Sequence, residues 1–267
     1  MSNTKEIPPS FLIVGTQKGG TTAAHQILSE HPQLAGSSVK EIGYFFLDNL
    51  FQRGPDWYHS HFTGKPGQLS FEATPEYLCC PAAAERIAAY NPKMKIIVLL
   101  RNPVERAYSA WNMHNRVAVY QQGRANPDGR SFEEAIGEEL SAMRSGWVAR
   151  LNKPLLPGCG TQMLDYVRRG LYLQQIERYL EFFPRDQLLV LESRELGENL
   201  EQALLKITGF LGIEPFAALP ARQEVAVAAY DSHLSTATRS LLRTFYRPFN
   251  QALYAFLGKS WDWDESR

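Results

Sequence analysis

Short apolar runs alternate along this chain with longer segments in which apolar residues recur at helical spacing. A run of consecutive apolar residues bounded by turn formers is typical of a buried strand. Such runs predict strands at residues 11–14, 95–100 and 187–193, and the mixed segment LSFEA is a further strand candidate at residues 69–73. Helical spacing, with Pro or Gly near the ends, predicts helices at residues 20–30, 82–90, 103–116, 131–144, 172–183, 198–212 and 233–256.

The order of these elements predicts the fold class. Fully apolar strands that alternate with helices indicate a parallel sheet covered by helices on both faces. The sequence contains no internal repeat and no low-complexity linker, and residues 146–162 have the composition of a loop. We therefore expect one α/β domain over residues 1–267, with residues 1–9 flexible.

Composition and charge narrow the function classes. Lys plus Arg (28) equals Asp plus Glu (28), so no overall positive field favours nucleic acid or an anionic membrane. The first ten residues lack the apolar core of a signal peptide, and no apolar stretch is long enough to span a bilayer. The three cysteines show no zinc-ligand spacing. We expect a cytoplasmic protein without a metal site, a membrane span or a nucleic-acid partner.

The segment GTQKGGTT, residues 15–22, follows the first predicted strand and opens the first predicted helix. Ligands of parallel α/β sheets bind at the carboxyl ends of strands, and a helix N-terminus favours anions. The lysine, Lys18, precedes the paired glycines, whereas the nucleoside-triphosphate pattern G-x-x-x-x-G-K-[ST] would need it where Thr21 stands. The segment predicts a phosphate loop of another kind, and an ordinary Gly-rich turn is the alternative.

A second candidate anion site lies in VLLRNPVERAYSAW, residues 98–111. Arg101 ends a predicted strand, and Ser109 comes eight residues later, about two helical turns away. A guanidinium fork and a hydroxyl could therefore converge on one phosphate. The alternative is that Arg101 is a surface ion-pair partner.

Together these motifs resemble those of the sulfotransferases that use 3′-phosphoadenosine 5′-phosphosulfate (PAPS). QKGGTT is similar to the loop that binds the 5′-phosphosulfate, and residues 98–111 are similar to the motif that binds the 3′-phosphate. The resemblance implies a P-loop-like three-layer fold and PAPS as the sulfuryl donor. The cofactor-binding residues that it implies are Gln17, Lys18, Gly19, Gly20, Thr21, Thr22, Arg101 and Ser109.

A third motif, KEIGYFF at residues 40–46, resembles the Glu-aromatic segment of the heparan-sulfate-type sulfotransferases. In that resemblance Glu41 is the general base and Lys18 stabilises the leaving group. His59, His61 and His114 are alternative bases, and Glu41 as a simple solvated charge is the bland alternative. The neighbouring aromatic residues are expected either to line the acceptor pocket or to form core: Tyr44, Phe45, Phe46, Trp57 and Tyr77.

Two segments depart from the family pattern. Ala73 stands where the heparan-type enzymes carry a lysine, and residues 216–233 contain a single cation, Arg222, where the family often has a basic loop over the nucleotide. The resulting hypothesis is an enzyme that transfers a sulfuryl group from PAPS to a hydroxyl or amine of a small-molecule or saccharide acceptor. A P-loop nucleoside or sugar kinase and a non-catalytic nucleotide-binding relative are the alternatives.

Overall fold

The computed structural model describes residues 5–120, 129–144, 165–220 and 234–265. Within these ranges the strands are β1 (Lys5–Glu6), β2 (Pro9–Gly15), β3 (Leu34–Gly36), β4 (Thr63–Gly64), β5 (Leu69–Ala73), β6 (Lys95–Leu100) and β7 (Leu188–Glu192). The helices are α1 (Thr21–Ser29), α2 (Asp48–Phe51), α3 (Pro55–His59), α4 (Glu76–Cys79), α5 (Pro81–Tyr90), α6 (Pro103–Tyr120), α7 (Phe132–Arg144), α8 (Tyr172–Leu180), α9 (Ser193–Glu198), α10 (Leu200–Leu211) and α11 (Thr236–Leu257).

Five of the strands form a parallel sheet in the order β3-β5-β2-β6-β7. β2 lies at the centre of this sheet, and all but one of its side chains are therefore buried. Its apolar sequence suits this position. The first loop leaves β2 at its carboxyl end, and the segment after β6 leaves the neighbouring carboxyl end. This edge of the sheet therefore brings the first loop and Arg101 together. The five parallel strands and the helices around them confirm the predicted α/β fold.

The described residues divide into two compact units. The first unit contains residues 5–101 and 178–220 and carries the parallel sheet. Its core packs the sheet against α1, α9 and α10, with side chains such as Phe11, Ile97 and Ile207 fully buried. Apolar burial of this kind is the main stabilising contribution to the unit.

The second unit contains the described residues of 102–144, 165–177 and 234–265. Its core is formed by α6, α7 and α11 around Tyr166 and Tyr246, which are both fully buried. The Tyr246 hydroxyl donates a hydrogen bond of 2.7 Å to the Val167 carbonyl. The sequence predicted one domain over the whole chain, and the division into two compact units does not test that prediction.

The predicted strands and helices that fall on described residues are confirmed, with shifts of a few residues at their ends. Residues 146–162, predicted as a loop, and residues 221–233 of the departing segment lie outside the described residues. In the part of the chain that the structure describes, no helix is long and apolar enough to cross a membrane.

Candidate functional site

The loop between β2 and α1 is held tightly against β6. The Thr16 amide donates to the Leu99 carbonyl at 2.8 Å, and the Gly19 amide donates to the Thr16 carbonyl at the same distance. A Cβ at Gly19 would lie 2.5 Å from the Leu99 oxygen, so this turn is closed only without a side chain. The loop is thus built by close backbone approach to the neighbouring strand.

The N-terminus of α1 is open to a ligand. Its cap residue is Gly20, in the left-handed conformation with φ of +88°, and no side chain caps the helix. Thr21 and Thr22 follow in the first turn, and Gly20 takes the left-handed turn without steric cost. No acidic residue stands in that turn. The first amides have no intrahelical acceptors and suit an anion.

Lys18 lies in this loop with an unusual backbone. Its φ is +66°, in the left-handed region that non-glycine residues rarely occupy. The Arg101 guanidinium donates a hydrogen bond of 3.1 Å from Nη1 to the Lys18 carbonyl oxygen. The structure therefore places the Arg101 side chain against the backbone of the loop that carries Lys18, at the ends of adjacent strands.

The remaining predicted cofactor-binding residues are placed less uniformly. Gln17 is buried, its Nε2 lies 3.4 Å from Glu76 Oε1, and its Oε1 has no hydrogen-bond partner among the described residues. Glu76, on α4, was not anticipated as a neighbour of the loop. Ser109 is buried on α6 and belongs to the second unit.

Glu41 lies in the segment that follows β3. Its φ is +61°, and its side chain is about half exposed and forms an ion pair with the adjacent Lys40. Lys18 and Glu41 are the two non-glycine residues with a positive φ in the described ranges. Such a conformation costs of order 1–3 kcal/mol and occurs preferentially at functional sites. The two predicted catalytic residues thus share a backbone feature that the sequence alone does not reveal.

The aromatic residues around Glu41 are mostly core. Tyr44, Phe45, Phe46 and Tyr77 are at most 9% exposed. The Tyr44 ring stacks on Tyr58 with ring centroids 4.4 Å apart. For these four side chains the structure favours the core alternative over an acceptor-lining role, because they contact one another. Trp57 is partly exposed, and Arg53 Cζ lies over its ring, 4.3 Å from the ring centroid.

The histidines that compete with Glu41 have other contacts. His59 Nε2 lies 2.7 Å from the Tyr90 hydroxyl. The His61 ring meets Trp57 edge-on at 4.8 Å, and burial together with the charge of Arg53 lowers the pKa of His61. His114 lies on α6 near Tyr166, in the second unit.

The donors at the loop fit a phosphate or phosphosulfate group. Gly20 caps α1 in the left-handed conformation, the first-turn amides have no intrahelical acceptors, and no carboxylate stands in that turn. Lys18 and Arg101 add positive charge to the loop. The amino-acid sequence of the chain also matches a known protein family. The family model described as "Sulfotransferase domain" matches residues 8–236. The chain belongs to the sulfotransferase family.

Several characterised sulfotransferases are similar to this chain. The human bifunctional heparan sulfate N-deacetylase/N-sulfotransferase 2 is 34% identical over 219 residues, a match that covers 78% of this chain and 22% of the human protein. The mouse heparan sulfate glucosamine 3-O-sulfotransferase 3B1 is 27% identical over 281 residues, which cover 96% of this chain and 65% of the mouse protein. The chain therefore spans only about a fifth of the bifunctional relative.

A sulfotransferase of known structure shares the fold along nearly the whole chain. The crystal structure of a sulfotransferase from Alicyclobacillus acidocaldarius superposes with a TM-score of 0.74 at 27% identity. The superposition covers 96% of this chain and 99% of the bacterial chain. This sulfotransferase fold thus accounts for both compact units of the chain.

Proposed function

We propose that this sulfotransferase transfers a sulfuryl group from PAPS to a hydroxyl or amine of a saccharide or small-molecule acceptor. The observation that carries the proposal is the left-handed backbone at both Lys18 and Glu41. Two costly conformations at the two residues that family resemblance assigns to the chemistry indicate that the fold maintains them for a function. The relatives named as heparan sulfate N- and 3-O-sulfotransferases support an amine or hydroxyl acceptor.

The loop would act on the donor side of the reaction. The first-turn amides of α1 would bind the 5′-phosphosulfate, and Arg101, whose guanidinium adjoins the loop, would bind the 3′-phosphate. As the bond between sulfur and the bridging oxygen breaks, negative charge develops on that oxygen. Lys18 would stabilise this charge; loss of one such donor typically lowers turnover by about 10²–10³.

Glu41 would act on the acceptor side. Its partly exposed carboxylate accepts the proton of the attacking hydroxyl or amine while the new bond to sulfur forms. The carboxylate also forms an ion pair with the adjacent Lys40. A general base of this kind contributes about 10²–10⁴ to the rate.

The test measures transfer of radiolabelled sulfate from PAPS to an acceptor panel that contains N-deacetylated heparosan, heparan sulfate and simple phenols. We expect sulfated product with the unaltered chain, and turnover lower by about 10²–10⁴ in Glu41→Gln with unchanged affinity for 3′-phosphoadenosine 5′-phosphate (PAP). Asp48→Asn is the matched control, since this acidic side chain is exposed to a similar extent (51%) in the same unit and pairs with Arg86 instead. Equal losses of PAP affinity and turnover in Glu41→Gln would contradict the assigned base.

A further inference from the structure

A buried carboxylate lies beneath the segment that carries Glu41. Glu72, on β5, is fully buried in the first unit. Burial raises the pKa of Glu72, while hydrogen bonds from its neighbours act in the opposite direction. A carboxylate in such a place is costly unless its oxygens are fully hydrogen-bonded. The mechanism proposed above gives Glu72 no role.

Both carboxylate oxygens of Glu72 accept hydrogen bonds from neighbouring hydroxyl groups. Oε1 accepts from the Tyr58 hydroxyl at 2.6 Å and from the Tyr77 hydroxyl at 2.8 Å. Oε2 accepts from Thr74 Oγ1 at 2.7 Å, and the nearby backbone amide of Ile42 acts to lower the pKa of Glu72. Burial raises the pKa of both tyrosines, so their hydroxyls stay protonated as donors. A set made only of donors matches the acceptor-only carboxylate.

Two backbone amides on the C-terminal side of Glu41 end on this cluster. The Gly43 amide donates to Thr74 Oγ1, and the Phe45 amide donates to the Tyr77 hydroxyl, each at 3.4 Å. Both hydroxyls in turn donate hydrogen bonds to Glu72. Through these two hydroxyls, one carboxylate therefore anchors the backbone on the C-terminal side of Glu41.

The other side of the segment is fixed independently of Glu72. The Ser37 amide donates to the Phe71 carbonyl at 2.8 Å, and the Ser38 amide donates to the His61 carbonyl at 2.9 Å. Glu41 lies between these two sets of bonds with its φ of +61°. A residue in that conformation persists only where its surroundings impose it. Release of the Glu72 side would leave this backbone free to relax.

We propose that Glu72 is a positioning residue that fixes the backbone at Glu41 and so aims its carboxylate at the acceptor. Glu72 acts through Glu41 and contacts neither substrate. This role rests on the proposed function, in which Glu41 is the base. It predicts that the two carboxylates are coupled in catalysis although only Glu41 takes part in proton transfer.

A double-mutant cycle tests the coupling. Glu72→Gln keeps the shape but replaces one acceptor oxygen by a donor amide. We expect its kcat to fall at least about tenfold, with the KM for PAPS and the affinity for PAP within about twofold of the unaltered chain. In the Glu41→Gln background, Glu72→Gln should change kcat by less than about twofold, because the base that it positions is already absent.

Control variants separate positioning from general loss of stability. Ser70→Ala removes another fully buried polar side chain of β5, whose hydroxyl bonds the Ile7 carbonyl and does not reach the Glu41 segment. It should leave kcat within about twofold at a temperature where all variants are folded. Tyr77→Phe removes a single branch of the cluster and should give a smaller loss of kcat than Glu72→Gln. It also serves as the test if Glu72→Gln does not fold.

The outcomes distinguish this inference from the proposed function. A normal kcat in Glu72→Gln, or in Tyr77→Phe where Glu72→Gln does not fold, would overturn the positioning role, and so would full additivity with Glu41→Gln. If Glu41→Gln itself retains normal turnover, the assigned base is wrong and the positioning role falls with it. If Glu41→Gln is impaired and Glu72→Gln is not, the proposed function stands and only the positioning role is lost.

Discussion

Gly19 and Gly20 serve the phosphate loop in different ways. At Gly19 the requirement is space, because a Cβ would lie 2.5 Å from the Leu99 carbonyl oxygen and 2.9 Å from the Thr16 carbonyl oxygen. At Gly20 it is conformation: φ is +88°, yet the nearest atom to a Cβ would be 3.8 Å away. The two adjacent glycines thus meet two different requirements of the loop, lack of space for a side chain at Gly19 and a left-handed backbone at Gly20.

Gly19→Ala should destabilise the protein by about 1–3 kcal/mol, because backbone oxygens cannot move aside as a flexible side chain would. The free energy of unfolding in urea measures this loss. Gly197→Ala is the control: that glycine lies in α9 with open space around its Cβ position, and alanine should leave stability unchanged or slightly raised. Equal stability of Gly19→Ala and the unaltered chain would contradict the close approach.

At the scale of elements, the sequence predicts best what is long and uniformly apolar. β6 matches the predicted residues, since residues 96–100 form an unbroken apolar run that is buried on both faces. β5 matches as well, although Ser70 and Glu72 interrupt its apolar residues. β3 was missed because Leu34–Gly36 has only three residues, and its pairing with β5 rather than its composition makes it a strand. The short helices α2, α3 and α4 were missed for the same reason.

An acidic residue of α7 stabilises the turn that leads to α8. Glu139 accepts hydrogen bonds from the Val167 amide at 2.7 Å and from the Arg168 amide at 2.6 Å. Burial is the main cause that raises the pKa of Glu139 to about 7, from an ordinary value of 4.5. Between these two pH values the native state holds a proton that the unfolded state has lost. The free energy of unfolding should therefore fall as pH rises through this range.

Glu139→Gln should remove this pH dependence, which amounts to about 3 kcal/mol at 1.36 kcal/mol per pKa unit. Urea unfolding at pH 4.5 and pH 8 gives the difference, and other titrating groups cancel between the variant and the unaltered chain. Glu138→Gln is the matched control, since the neighbouring side chain is 66% exposed and pairs with Arg130. An identical pH dependence in Glu139→Gln and the unaltered chain would contradict a raised pKa.

At the scale of the whole molecule, the fold and the family follow from the sequence, while the support of the site does not. Lys18, Arg101 and Glu41 were found through motif spacing and resemblance. The hydrogen-bonded cluster around Glu72 was missed because Gly43, Tyr58 and Glu72 are distant in sequence and meet only in the folded unit. The available signal was an acidic residue inside the otherwise apolar strand LSFEA.

Because the charges of the chain balance, attraction of an anionic nucleotide must come from groups at the donor site itself. With 28 basic and 28 acidic residues, no overall field attracts an anionic nucleotide. Affinity must then come from the loop itself, from amides at the N-terminus of α1 and from Lys18 and Arg101. Removal of one cation should therefore have a large effect, and a cation elsewhere on the surface should matter little.

The central claim is that this loop binds a 3′-phosphorylated adenosine nucleotide through Lys18. The most direct test is calorimetric titration with PAP of the unaltered chain, of Lys18→Ala and of the control Lys65→Ala, whose lysine is exposed in the same unit. We predict binding of PAP that is about 10- to 100-fold weaker in Lys18→Ala, unchanged in Lys65→Ala, and much tighter than binding of ATP with Mg²⁺. Equal PAP affinity in Lys18→Ala, or tighter binding of ATP with Mg²⁺, would contradict the account.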